Sequence, residues 1–100
     1  MPHRIVFTAE ARGQLDALFT YLAAAADEAT AANTLSQILD HIDTLQVFPH
    51  RGTPRDDLRV GLRTMPWKRR ATIAYMAQGH EVTVIGIFCG GLDVESLLED

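Results

Sequence analysis

Cysteine is almost missing from this sequence: Cys89 is the single thiol in 100 residues. One thiol closes no internal disulfide, and no cysteine cluster exists to hold zinc. Also missing is any apolar run near the ~20 residues that cross a bilayer. The opening Met1-Pro2-His3-Arg4 leads into a short apolar triplet, unlike a secretory leader. These absences predict a cytoplasmic protein with no membrane association. Only Ser36 and Ser96 are serines, neither in a nucleophile elbow, and no phosphate-binding glycine loop occurs. His3, His41, His50 and His80 have no close ligand spacing. Asp40, His41 and Asp43 are neighbours, but adjacent helical positions do not converge, so they read as a solvated face. Cys89 beside Gly90-Gly91 has no base close in sequence and reads as a packed strand-end residue. No metal, no cofactor and no catalytic residue are expected, and the chain reads as a binder, not an enzyme.

What is present suits one folded domain over residues 1–100. Hydrophobic residues make up 47% and charged residues 22%, enough apolar side chains for a core and too few charges for disorder. The formal charge of −4 argues against a general nucleic-acid binder, and no sequence-specific nucleic-acid contact by this chain alone is expected. The charge is uneven, however. Seven of the nine basic residues fall between Arg51 and Arg70, opposed there only by Asp56 and Asp57. A basic middle on an acidic body suits a specific acidic partner surface.

Periodicity orders the elements. Residues 3–7 end in Ile5-Val6-Phe7 and suit a strand. Thr8 is positioned to cap a helix, with Glu10 in its first turn. Ala11, Leu15, Leu18, Phe19, Leu22 and Ala26 form one apolar stripe, and Ala31, Leu35, Ile38, Leu39, Ile42 and Leu45 form another, stopped by Phe48-Pro49. Asp27-Glu28 breaks the two helices apart into an antiparallel hairpin. Residues 49–58 read as loop. Arg59 to Arg63 alternates, with arginines on one face and Val60 and Leu62 on the other, and is expected to be a strand. Residues 71–77 and 82–89 are two longer strands, turned at Gln78-Gly79-His80-Glu81. The order strand, helix, helix, strand, strand, strand gives an α+β fold, a helical hairpin packed on a largely antiparallel sheet, with Ile38 and Ile85 in one core. Leu92, Val94, Leu97 and Leu98 in the acidic tail are available to pack, with Leu97 and Leu98 expected to dock on the sheet as a final helical turn.

The chain reads Phe48-Pro49-His50-Arg51-Gly52, then Pro54-Arg55-Asp56-Asp57-Leu58-Arg59-Val60-Gly61-Leu62-Arg63, then Arg70 and Ile73-Ala74-Tyr75. This resembles the ParE branch of the ParE/RelE toxin superfamily, the toxin halves of bacterial toxin–antitoxin pairs, along about the whole chain. The resemblance implies a RelE/ParE-like fold, a hetero-oligomer with a cognate antitoxin, and stoichiometric inhibition of DNA gyrase. Cys89 stands where the family commonly has histidine, and Ala71 where a tyrosine often follows the strand arginine. The RelE branch cuts messenger RNA on the ribosome with basic and tyrosine side chains in and after the last strands. Leu92 and the tyrosine-free tail leave much of that equipment missing. A ribosome-dependent endoribonuclease and a non-toxic, antitoxin-binding member are the two alternatives.

Two surfaces are candidates for partner binding. The first is Arg59, Arg63, Lys68, Arg69 and Arg70 as a positive edge, with Trp67 as an anchor beside them, since Trp and Arg are enriched at binding hot spots. The competing reading puts Trp67 at the edge of the core and pairs the arginines with Asp40 or Asp43. The second is the outer face of the first helix, where Gly13, Ala17, Thr20 and Ala24 follow at i+4, i+3 and i+4. Small side chains there let an antitoxin segment approach closely, while solvent-facing alanines also simply favour helix.

Overall fold

A computed structural model of the chain describes residues 2–68 and 71–89. The strand β1 (Arg4–Phe7) leads into α1 (Ala9–Ala25), whose first turn is closed by the Ala11 amide donating to Thr8 Oγ1 at 3.1 Å. Ala26, placed on the apolar stripe by spacing, is the exposed C-cap. Asp27 does more than break the helix. Its carboxylate accepts from the Thr30 amide at 2.7 Å and caps α2 (Glu28–Asp43), and that hydrogen bond holds its pKa below the ordinary range. The apolar spacing places the end of the second helix near Phe48, yet α2 ends at Asp43. Thr44 Oγ1 donates to the His41 carbonyl at 2.7 Å and tightens the chain into a 3₁₀ turn, Thr44–Gln46, that keeps Leu45 buried.

Four more strands follow: β2 (Thr53–Pro54), β3 (Leu62–Trp67), β4 (Ala71–Gln78) and β5 (Glu81–Cys89). The sheet order is β1-β5-β4-β3-β2, with β1 parallel to β5 and every other pair antiparallel. The α+β architecture inferred from periodicity is the one observed, with β2 as an extra edge pairing inside the expected loop. Residues 59–61 are not strand. Gly61 takes a φ of +85°, where a side chain is disfavoured, and turns the chain so that β3 begins only at Leu62. Gly79, with φ of +58°, supplies the β4–β5 turn as expected.

The core lies between the helical hairpin and one face of the sheet. Ile38, Ile42 and Leu45 meet Met65, Ile73, Tyr75, Val82, Val84 and Ile87 there, with Leu15 and Leu18 of α1 packed against them. Each fully buried aliphatic side chain of this size contributes roughly 1.5–3 kcal/mol. Ile85 is not in this core. The β4–β5 register shifts between Ala74 and Tyr75, where Tyr75 pairs with Val84 and Ala74 with Gly86. Ile85 is thus the extra residue of a bulge, and the step lets Val84 and Ile87 face the same way. Gln14 of α1 accepts from the Ile87 amide at 2.6 Å, tying the first helix to the strand beyond the bulge. The acidic tail, with Leu92, Val94, Leu97 and Leu98, lies outside the described residues.

Candidate interaction surfaces

The arginine-rich segment splits into two places. Arg59 belongs to the turn before β3, and Lys68 to its far end, and a six-residue strand separates them by about 20 Å. No single positive edge joins them. Arg69 and Arg70 lie outside the described residues.

Lys68 takes a positive φ of 52°, donates Nζ to Gln37 Oε1 at 3.0 Å, and sits 4.9 Å from the centre of the Trp67 ring. Trp67 itself is 7% exposed and part of the core. It packs against the fold at this end of β3 and does not stand out as an anchor. His41, expected on a solvated face with Asp40 and Asp43, donates Nε2–H to the Pro66 carbonyl at 3.0 Å and ties α2 to the same end of β3.

Arg63 has a different job again. Its Nη1 donates to the carbonyls of His50 at 3.1 Å and Gly52 at 2.8 Å. Gly52 in turn donates its amide to the Tyr75 hydroxyl at 2.8 Å, in a buried position. These three residues, from the most distinctive part of the sequence, lock the loop that leads into β2. No arginine–carboxylate pair to Asp40 or Asp43 is needed, because backbone carbonyls take the Arg63 guanidinium. Burial pushes the Tyr75 phenol above its ordinary value near 10, against the opposing pull of the Gly52 amide and the Arg63 and Arg51 charges. At neutral pH it is a protonated, engaged hydroxyl. Arg63→Ala should therefore lower stability by roughly 1.5–3 kcal/mol, the usual cost of a charged hydrogen-bond donor. Denaturant melts check this; an unchanged melt together with lost partner binding would place Arg63 in an interface instead.

Beyond the lock, residues 55–61 form a tightly bonded tip. Arg55 holds Asp57 through Nε at 3.0 Å and Nη2 at 2.9 Å, keeping that carboxyl more acidic than usual. Asp56 Oδ1 accepts from the Gly61 amide at 2.8 Å. Arg59 is exposed with no side-chain partner among the described residues, and Val60 beside it is 82% exposed.

On the other side of the molecule α1 packs against β5 and β1. Gly13, Ala17, Thr20 and Ala24 all lie exposed on its outer face, and nothing comes within 4 Å of a Cβ built at Gly13. Tyr21, four residues beyond Ala17, is 68% exposed. The apolar stripe gave no place for it, and its i+4 spacing from Ala17 was the available signal that it shares this face. The surface is therefore a smooth strip with one aromatic ring at its edge. Among the described residues no three His, Cys, Asp or Glu side chains converge on a metal position, and no helix is long and apolar enough to cross a membrane.

Residues 5–91 match the family model described as "ParE toxin of type II toxin-antitoxin system, parDE". The protein called Toxin ParE3, from Caulobacter vibrioides, is 30% identical over 98 residues, covering 95% of this chain and 94% of that protein. A solved structure described as "Chromosomal ParDE TA system from P. aeruginosa" overlays with a TM-score of 0.76 at 20% identity, covering 87% of this chain and 95% of that one. At that identity the overlay speaks for the fold.

Proposed function

As this chain belongs to the ParE toxin family of type II toxin–antitoxin systems, we propose that it acts by stoichiometric inhibition of DNA gyrase and is silenced by a cognate antitoxin. The observation that carries the binding reading is the Gly52 lock. Arg63, the described arginine on which the ribonuclease alternative leans, and the Tyr75 hydroxyl are both engaged in holding the loop before β2. A phenol raised in pKa and already hydrogen-bonded is a poor general base. What remains free is surface: a smooth helix face on one side and a projecting tip on the other. The antitoxin lies along the outer face of α1, over Gly13, Ala17 and Ala24, in a hetero-oligomer formed in the cytoplasm. The solved relative described as a ParDE system supports a protein partner of that kind. Gyrase is the target that the family resemblance implies.

Induction of the chain without its antitoxin should arrest growth and leave plasmid DNA relaxed or cleaved. Co-expression of the antitoxin should restore both. Normal growth on induction alone would identify a non-toxic, antitoxin-binding member. Cut messenger RNA in a translation extract, abolished by Arg63→Ala in a folded protein, would instead identify a ribonuclease.

A further inference from the structure

The tip at residues 55–61 is built more firmly than a surface turn requires. Arg55 donates its amide to the Leu62 carbonyl at 2.7 Å, closing the β2–β3 hairpin. The Arg55 carbonyl accepts from the amides of Leu58 at 3.0 Å and Arg59 at 3.2 Å, and the Arg59 carbonyl accepts from Leu62 at 3.0 Å. The Asp56–Gly61 bond and the two-pronged Arg55–Asp57 pair complete the frame. Lone apolar residues are ordinary on protein surfaces. Here, however, the frame holds an 82%-exposed valine next to an arginine with no side-chain partner among the described residues. A rigid presentation reduces the ordering cost that association would otherwise incur.

We propose that this tip is a second protein-binding surface, through which the chain engages its toxic target by placing Val60 in an apolar socket and Arg59 on a carboxylate beside it. The proposal rests on the toxin reading above. Charge selects the class of partner. Arg55 and Arg59 are balanced within the tip by Asp56 and Asp57, so residues 55–61 carry no net charge. Nucleic-acid backbones are gripped by accumulated positive charge, which this tip does not have. One free guanidinium beside an apolar wedge suits a protein, where a planar fork meets a single carboxylate. Position separates this surface from the antitoxin strip. The tip extends from β2 and β3 at one edge of the sheet, and α1 packs over β5 and β1 toward the other.

The test uses the full chain with Val60→Asp, Val60→Ser and Arg59→Glu, each induced without antitoxin. Because both side chains are exposed, melts should match the wild type and antitoxin co-purification should be retained. Affinity for purified DNA gyrase should fall about thirtyfold or more for Val60→Asp and Arg59→Glu, the scale of a hot spot, and growth arrest should be lost. Val60→Ser should give a smaller loss in the same direction. Full toxicity in folded Val60→Asp would overturn the proposal. Loss of antitoxin binding by the same variants would also overturn it, by placing the tip in the antitoxin interface. Loss with Arg59→Glu alone, steeply salt-dependent, would point to nucleic acid. If the wild-type chain arrests nothing, the toxin reading falls and this inference with it; toxic variants beside a toxic wild type remove the inference alone.

Discussion

Alanine in place of Gly52 is expected to cost about 3 kcal/mol of folding stability, the upper range for forcing atoms into filled space. A Cβ there would lie 2.6 Å from the Tyr75 hydroxyl and 2.9 Å from the Thr64 carbonyl. The first contact is a buried phenol fixed by its own hydrogen bond, and the second is strand backbone paired in the sheet. Neither gives way cheaply. The glycine is required here for space and not for an unusual backbone angle. Tyr75→Phe should itself cost roughly 1–3 kcal/mol, because the Gly52 amide is left buried without an acceptor. It also removes the nearest obstacle to a Cβ. The double substitution should therefore cost less than the sum of the two singles, but more than Tyr75→Phe alone, since the Thr64 carbonyl and the ring's Cε1, each 2.9 Å from the Cβ, remain. Urea melts of the four proteins measure this coupling. Strict additivity would show that the two residues do not meet as described.

Tryptophan at Ala17 or Ala24 is expected to abolish antitoxin co-purification, a loss of about a hundredfold or more in affinity, while leaving the fold intact. Both positions are exposed and belong to the strip whose Gly13 has open space around it. Both side chains point to solvent among the described residues, so the melt should not fall. An antitoxin helix or strand packed closely on small side chains would be pushed away. Gly13→Ala supplies the control on the same face. It relieves a helical glycine and should raise stability by roughly 0.5–1 kcal/mol, with complex formation preserved. Intact co-purification with tryptophan at either alanine would remove the antitoxin from this face.

Much of the scaffold was legible because local chemistry and global fold agree. Thr8 reads as a cap and is one, the stripe through Ala31, Ile38 and Ile42 reads as a buried face and is one, and Gly79 reads as the hairpin turn. The misreadings have specific causes. Arg59-Val60-Gly61-Leu62-Arg63 alternates like a strand, but the positive φ of Gly61 and the Asp56 carboxylate on its amide make the first three residues a turn. The bulge at Ile85 is invisible in a run of apolar residues, since one inserted position changes facing without changing composition. Trp67 looked like an anchor because it stands among cations, yet its β3 position faces the helices and buries it. The lock of Gly52, Arg63 and Tyr75 joins residues 11 to 23 apart in sequence, and only the pairing of β3 with both β2 and β4 brings them together.

Titration of purified gyrase with the purified chain separates a stoichiometric binder from a catalyst. At fixed gyrase, residual supercoiling should fall with the molar amount of chain added, stay constant with time once binding is complete, and return when antitoxin is added in equal amount. Supercoiling that persists at excess chain would rule out gyrase as the target. Inhibition by trace amounts that deepens with incubation, the behaviour of a catalyst, would contradict the account.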